Sequence, residues 1–151
     1  MSGIIKQKFM GKARFFITYL ALAALMSCSA SKPGVNAAEA GMFNISIMYP
    51  AGKDKTFDMD YYEKNHMPMM AQILGENLKF YEIDKGLAGR TSNDAAPFVA
   101  MCHFYCYDIT RYEKAVVQNI DTILKDIKKY TNIQPVVQIS KVGQLRSKGS
   151  R

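Results

Sequence analysis

The chain has 151 residues, with 20 Lys+Arg against 13 Asp+Glu and a formal net charge of +7. Four of the cations (Lys6, Lys8, Lys12, Arg14) precede an apolar run, three (Arg146, Lys148, Arg151) lie at the C-terminal end, and the sequence between them holds bases and acids in equal number. The charge therefore excludes a basic nucleic-acid face, and the length remaining after a leader suits one compact domain.

Residues 1–27 read as a signal peptide. The apolar run from Phe15 to Met26 would span roughly 18 Å as a helix, short of the ~30 Å hydrocarbon core. It suits an h-region rather than a lasting membrane span. Its end, Leu25-Met26-Ser27-Cys28, resembles the bacterial lipoprotein processing box. That resemblance implies lipidation of Cys28, export to the cell envelope and a membrane partner held through the anchor. Ordinary signal cleavage, with Cys28 a bystander, is the alternative. Residues 28–41, rich in Ala and Ser, form a flexible tether. Residues 42–143 form the domain and residues 144–151 a basic tail.

Met42 to Tyr49 alternates Phe43, Ile45, Ile47 and Tyr49 against Asn44 and Ser46, a strand period. Pro50-Ala51-Gly52 breaks it. Asp58 can cap a helix running to Leu74 and stopped by Gly75. Its buried stripe is expected to be Met59, Tyr62, His66, Met69, Met70 and Ile73. Pro68 should bend or split this helix just before it.

Leu78 to Lys85 reads as a second strand, residues 86–96 as a loop, and Phe98 to Tyr107 as a third strand. Asp108 can cap a helix from Ile109 to about Lys129, with Tyr112, Val116, Ile120, Ile123 and Ile127 along one side. Pro135 to Val142 is the fourth strand. The order β-α-β-β-α-β is the ferredoxin-like plan of the α+β class, an antiparallel sheet with both helices on one face. The other face needs a cover, which a homodimer supplies.

Cys102 and Cys106 would lie about 13 Å apart on a strand, too far for a disulfide, and read as buried thiols. No His/Cys/Asp/Glu spacing supports a metal site. No glycine-rich loop leads from a strand into a helix, which leaves nicotinamide and flavin without support.

Two stretches, Phe57-Asp58-Met59-Asp60-Tyr61-Tyr62-Glu63-Lys64-Asn65-His66-Met67-Pro68 and Tyr130-Thr131-Asn132-Ile133-Gln134-Pro135, resemble the EthD family. Asp84-Lys85-Gly86-Leu87 and Pro97-Phe98-Val99-Ala100, with His103 and Tyr105, extend the likeness over about Ile45 to Val142. Cys106 and Tyr107 depart from the family's usual Phe and Asp. The resemblance implies a dimeric α+β barrel, a small organic ligand, and a pocket between the sheet and the helices of each subunit. It also implies an activity of the oxidoreductase, reductase type. No cofactor is predicted; haem enters only by analogy with related barrels that hold it.

His66 is the first candidate for acid–base work, because its ordinary pKa lies near neutrality. Tyr62, four residues earlier on the same helix face, could steady an oxyanion or orient the ring. His103 is the third candidate, with Tyr49, Asp58, Met70 and Tyr105 expected to line the substrate pocket. The plainer readings are a packed core histidine for His66 and an interface residue for His103. The favoured function is an envelope enzyme acting on a small apolar or aromatic compound. The alternatives are an isomerase or cyclase of the same fold and a non-catalytic ligand-binding lipoprotein. Convergence of His66 and His103 on one cavity would favour catalysis, and opposite sheet faces would favour binding.

Overall fold

The structure, a computed structural model, describes residues 37–146. The expected signal peptide, the Cys28 box and the end of the basic tail lie outside the described residues. The four strands are β1 (Phe43–Pro50), β2 (Leu78–Lys85), β3 (Phe98–Cys106) and β4 (Val136–Lys141). They form one antiparallel sheet in the order β2-β3-β1-β4. The fold is α+β and ferredoxin-like, as the alternation of periods predicts.

The sheet has two unlike faces because side chains alternate along each strand. Ile45 and Tyr49 of β1 stand beside Ala100, Cys102, Phe104 and Cys106 of β3, and all six are buried beneath the helices. Ser46 and Met48 of β1, with Met101, His103 and Tyr105 of β3, point to the face that carries no helix. Cys102 and Cys106 are free, buried thiols. Burial pushes them up to about 12 and about 11 respectively, so both stay protonated and pack as small apolar groups.

The first helical region departs from a regular helix. It runs as α1 (Met59–Tyr61), a π-helical turn (Tyr62–His66) and α2 (Met67–Leu74). Asp58 caps its start by accepting from the Tyr61 N–H at 3.0 Å. Pro68 accounts for the π turn. A proline there has no N–H to offer the Lys64 carbonyl, and its ring would crowd that oxygen. One extra residue in the turn relieves the clash, and the Met67 N–H reaches back to the Tyr62 carbonyl. The extra residue also rotates the rest of the helix, so the buried stripe continues through Met67, Met70 and Leu74. Met69 and Ile73, expected in that stripe, are only partly buried. Gly75 stops the helix at φ +53°, a conformation that favours glycine.

The expected single helix from Ile109 to Lys129 is two helices, α3 (Ile109–Gln118) and α4 (Ile120–Tyr130). Asp108 caps α3 by accepting from the Arg111 N–H. Asn119 makes the break at φ −117°, ψ 13°. Its side-chain amide donates to the Ala115 carbonyl at 2.8 Å, and its own carbonyl accepts from Ile123. A short polar side chain that can hydrogen-bond the backbone favours such an interruption. The fourth strand begins one residue later than expected, after Pro135.

Candidate functional site

The two stretches that carry the family likeness meet in space. The Asp58 N–H donates to the Tyr130 carbonyl at 2.7 Å, and Phe57 forms a β-bridge with Thr131. Thr131 donates its hydroxyl to the Thr56 carbonyl at 2.7 Å. The Asn132 side chain accepts from the Thr56 N–H and donates to the Asp54 carbonyl. These bonds lock the start of α1 to the end of α4. They set Tyr130 against the His66 ring, with centroids 4.7 Å apart.

His66 is 5 % exposed and sits at the end of the π turn. Its ring stacks on Tyr62 at 5.5 Å and 18°. Its Nδ1 lies 2.8 Å from Oδ2 of Asp126 on α4. The other carboxylate oxygen of Asp126 accepts from the Tyr61 hydroxyl at 2.8 Å and from Lys129 Nζ at 3.0 Å. Asp126 is 7 % exposed, so this carboxylate is a buried anion held by three donors. Burial alone would raise its pKa, but the bonds from His66, Lys129 and Tyr61 outweigh that and hold it below the ordinary value.

That arrangement fixes the state of His66. A carboxylate only accepts, so Nδ1 carries the hydrogen and Nε2 keeps a lone pair. Burial lowers the His66 pKa by more than the Asp126 bond raises it. The ring is therefore neutral at neutral pH. Nε2 has no partner within the protein, and among the described residues no fully buried side-chain nitrogen or oxygen lacks one, so this nitrogen is accessible. That nitrogen opens onto a cavity.

The cavity, about 160 Å³, lies between the helices and the buried sheet face. His66, Tyr62 and Met70 form one wall, Tyr49 and Phe104 the floor, and α3 and α4 the roof. Burial raises the Tyr62 pKa strongly and that of Tyr49 to about 12, so both hydroxyls stay protonated and can donate. The Tyr49 hydroxyl is 2.7 Å from that of Tyr130 behind it.

Of the residues expected at a site, Tyr49, Tyr62, His66 and Met70 come together on this cavity. His103 and Tyr105 do not. Both lie on the helix-free face of the sheet, because an odd-numbered position on β3 points away from buried Cys102 and Phe104. There His103 Nδ1 is 2.9 Å from the Ser46 hydroxyl and Nε2 is 3.5 Å from Asp84, while Tyr105 donates to Glu82 at 3.3 Å. Asp58 also stands apart, exposed beside a separate surface depression. The expectation that His103, Tyr105 and Asp58 join His66 in one pocket is corrected by these placements.

Asp126 and Tyr130 are the site residues that sequence reasoning missed. Asp126 carried a signal, since it falls three residues after Ile123 and beside Ile127, on the buried side of an amphipathic helix. An acid at such a position needs a partner. Tyr130 opens the second of the two family-like stretches, but its contact with His66 depends on the α1–α4 junction.

Among the described residues no group of three or more His, Cys, Asp or Glu converges as a metal would need. A haem does not fit the cavity, whose volume of about 160 Å³ is below even the ~300–1,000 Å³ of ordinary ligand sites.

Comparison with known proteins gives a consistent picture. The family described as EthD domain matches residues 51–134. A solved EthD-like protein from Ralstonia eutropha is 41% identical, covers 72% of this chain and 98% of its own, and superposes with a TM-score of 0.68. An ethyl tert-butyl ether D (EthD) family protein from Bacillus halodurans is 17% identical, covers 66% and 97%, and gives a TM-score of 0.51. The latter likeness is one of fold alone. No curated protein matches the chain.

Proposed function

The chain belongs to the EthD family, and from that premise we propose that its domain is a small-molecule enzyme in which His66 moves a proton on an organic ligand bound in the cavity. The observation that carries this reading is the Asp126–His66 pair, 2.8 Å apart and buried, with Nε2 free toward an apolar space. Asp126 holds the tautomer and steadies the imidazolium that forms when Nε2 takes a proton. Tyr62, stacked on the imidazole, holds the ring in place for that step. Asp126 is a positioning residue, and His66 is the catalytic base.

Proton transfer is a step common to an isomerase, a cyclase and an oxidoreductase. The geometry supports the step, and the oxidoreductase reading rests on the family resemblance alone. A second reading, a ligand-binding lipoprotein without turnover, is favoured by one observation. His66 and His103 face opposite sides of the sheet, so no second histidine assists the first.

The same proposal includes an envelope location through a lipid at Cys28 and a homodimer formed over the helix-free sheet face. The short apolar run before Cys28 supports the first. The partly exposed Met48, Val99, Met101 and Tyr105 on that face support the second.

The test of the chemistry needs no knowledge of the full reaction. Small enolisable ketones are incubated with the protein in deuterated water, and NMR follows exchange of their α C–H. Wild-type acceleration that disappears in a folded His66→Gln variant is the expected result. Exchange that survives in His66→Gln overturns the assignment, and its absence in wild type favours the binding reading.

A further inference from the structure

The cavity is open at one end, and its two ends differ in chemistry. At the closed end stand His66, Tyr62, Tyr49 and Phe104, all buried. At the mouth stand Ile120, Leu124 and Val137, which line the same cavity yet are 41%, 51% and 53% exposed. Ile139, two residues beyond Val137 on β4, is also exposed. Among the described residues no Lys, Arg, Asp or Glu lines the space.

We propose that the cavity takes an uncharged single-ring compound with a hydroxyl at its inner end and an apolar substituent that runs out between α4 and β4. The proposal rests on the reading of this cavity as the working site and names its ligand class.

Size sets the ring. A closed apolar cavity of ~150 Å³ is enough to hold benzene, and this one measures about 160 Å³. Charge sets the class. A carboxylate or phosphate brought here would lose its water with no cation among the lining residues to replace it. A neutral hydroxyl, in contrast, can donate to His66 Nε2, whose other nitrogen is committed to Asp126. The mouth sets the substituent. Exposed Leu124 on the helix and Val137 on the strand flank one opening, so each methylene of a chain leaving the ring can leave water against them. Tyr49 and Tyr62 at the closed end leave no room for that chain to run inward, because both are almost wholly buried in packed surroundings.

Calorimetry on the full chain with phenol, 4-ethylphenol, 4-propylphenol and 4-hydroxybenzoate tests this. Affinity should rise about fourfold for each added methylene, and 4-hydroxybenzoate should bind at least about a hundredfold more weakly than 4-ethylphenol. Leu124→Asp should remove the gain with chain length, and Val137→Asp should do the same from the opposite wall. Both positions are about half exposed, so the folded state tolerates the change. An affinity that stays flat with chain length, a benzoate that binds as well as the neutral series, or no binding by any of the four overturns the proposal. Failure of the catalytic reading looks different: the series would bind as stated, and the enolisable ketones would keep their α C–H protons.

Discussion

The two histidines of the domain, His66 and His103, belong to opposite faces of one sheet. His66 meets Asp126 at 2.8 Å beneath the helices, and His103 meets Ser46 at 2.9 Å on the face without them. Any chemistry in the cavity is therefore carried by one imidazole and the carboxylate behind it.

Asp126→Asn should lower the turnover number by ~10²–10⁴ and leave KM little changed. An amide can turn its NH₂ toward Nδ1 and so stabilise the tautomer whose Nε2 carries the hydrogen and cannot act as a base. Asp126→Glu should restore part of the rate. Kinetics on both variants, with circular dichroism to verify folding, check the effect.

His103→Ala should leave cavity binding and turnover within about twofold of wild type, because its ring does not reach that space. It removes the Ser46 and Asp84 contacts, worth about 0.5–1.5 kcal/mol for an ordinary hydrogen bond. A denaturant titration beside the rate assay separates the two effects. A rate loss as large as that of His66→Gln would refute the placement.

Stability should fall in two steps as the solution is acidified. The folded pKa of His66 lies below its unfolded value near 6.5, so the unfolded chain binds that proton more readily. Its contribution is complete above about pH 6.5 and is lost as pH falls through the lower folded value. Asp126, also lowered from 3.8, adds a second loss below about pH 3.8. Melting temperatures measured from pH 8 to 3 should show both steps, and His66→Gln should lack the first.

Cys28→Ala should move the protein from the membrane to the soluble envelope fraction if the Leu25-Met26-Ser27-Cys28 box directs lipidation, as its resemblance to the processing box implies. Fractionation of the two forms decides it. Identical behaviour would make the box accidental.

A chain starting at Met42 should sediment as a homodimer at micromolar concentration. The helices cover one face of the sheet, and partly apolar side chains remain on the other. A stable monomer would remove the barrel reading and leave the ferredoxin-like domain standing alone.

Local periodicity was enough for the strands, since each of β1 to β4 lies within a residue or two of its expected range. It was enough for the caps as well, because Asp58 and Asp108 act through residues three positions away. The split at Pro68 was legible for a similar reason: the missing N–H and the crowded carbonyl are properties of one residue and its near neighbours. The turn of the chain's face after His66 was not legible, because a π turn shifts the helical phase by a full residue and a 3.6-residue pattern cannot anticipate it. The break at Asn119 was missed because Asn is tolerated in helices, and only its bond to Ala115 decides the outcome.

What the sequence determined by itself was the order of elements, the caps and the ferredoxin-like plan. All three depend on spacings of a few residues along the chain. Tertiary structure alone decided that Asp126, sixty residues away, is the partner of His66, that Tyr130 packs on its ring, and that His103 belongs elsewhere. Helix α4 crosses the π turn at one angle and one height, set by the Phe57–Thr131 bridge and by core packing. A buried carboxylate finds its donors only when that crossing is made. The strand period placed His103 on a face, and only the side chosen by both helices determined which face held the cavity.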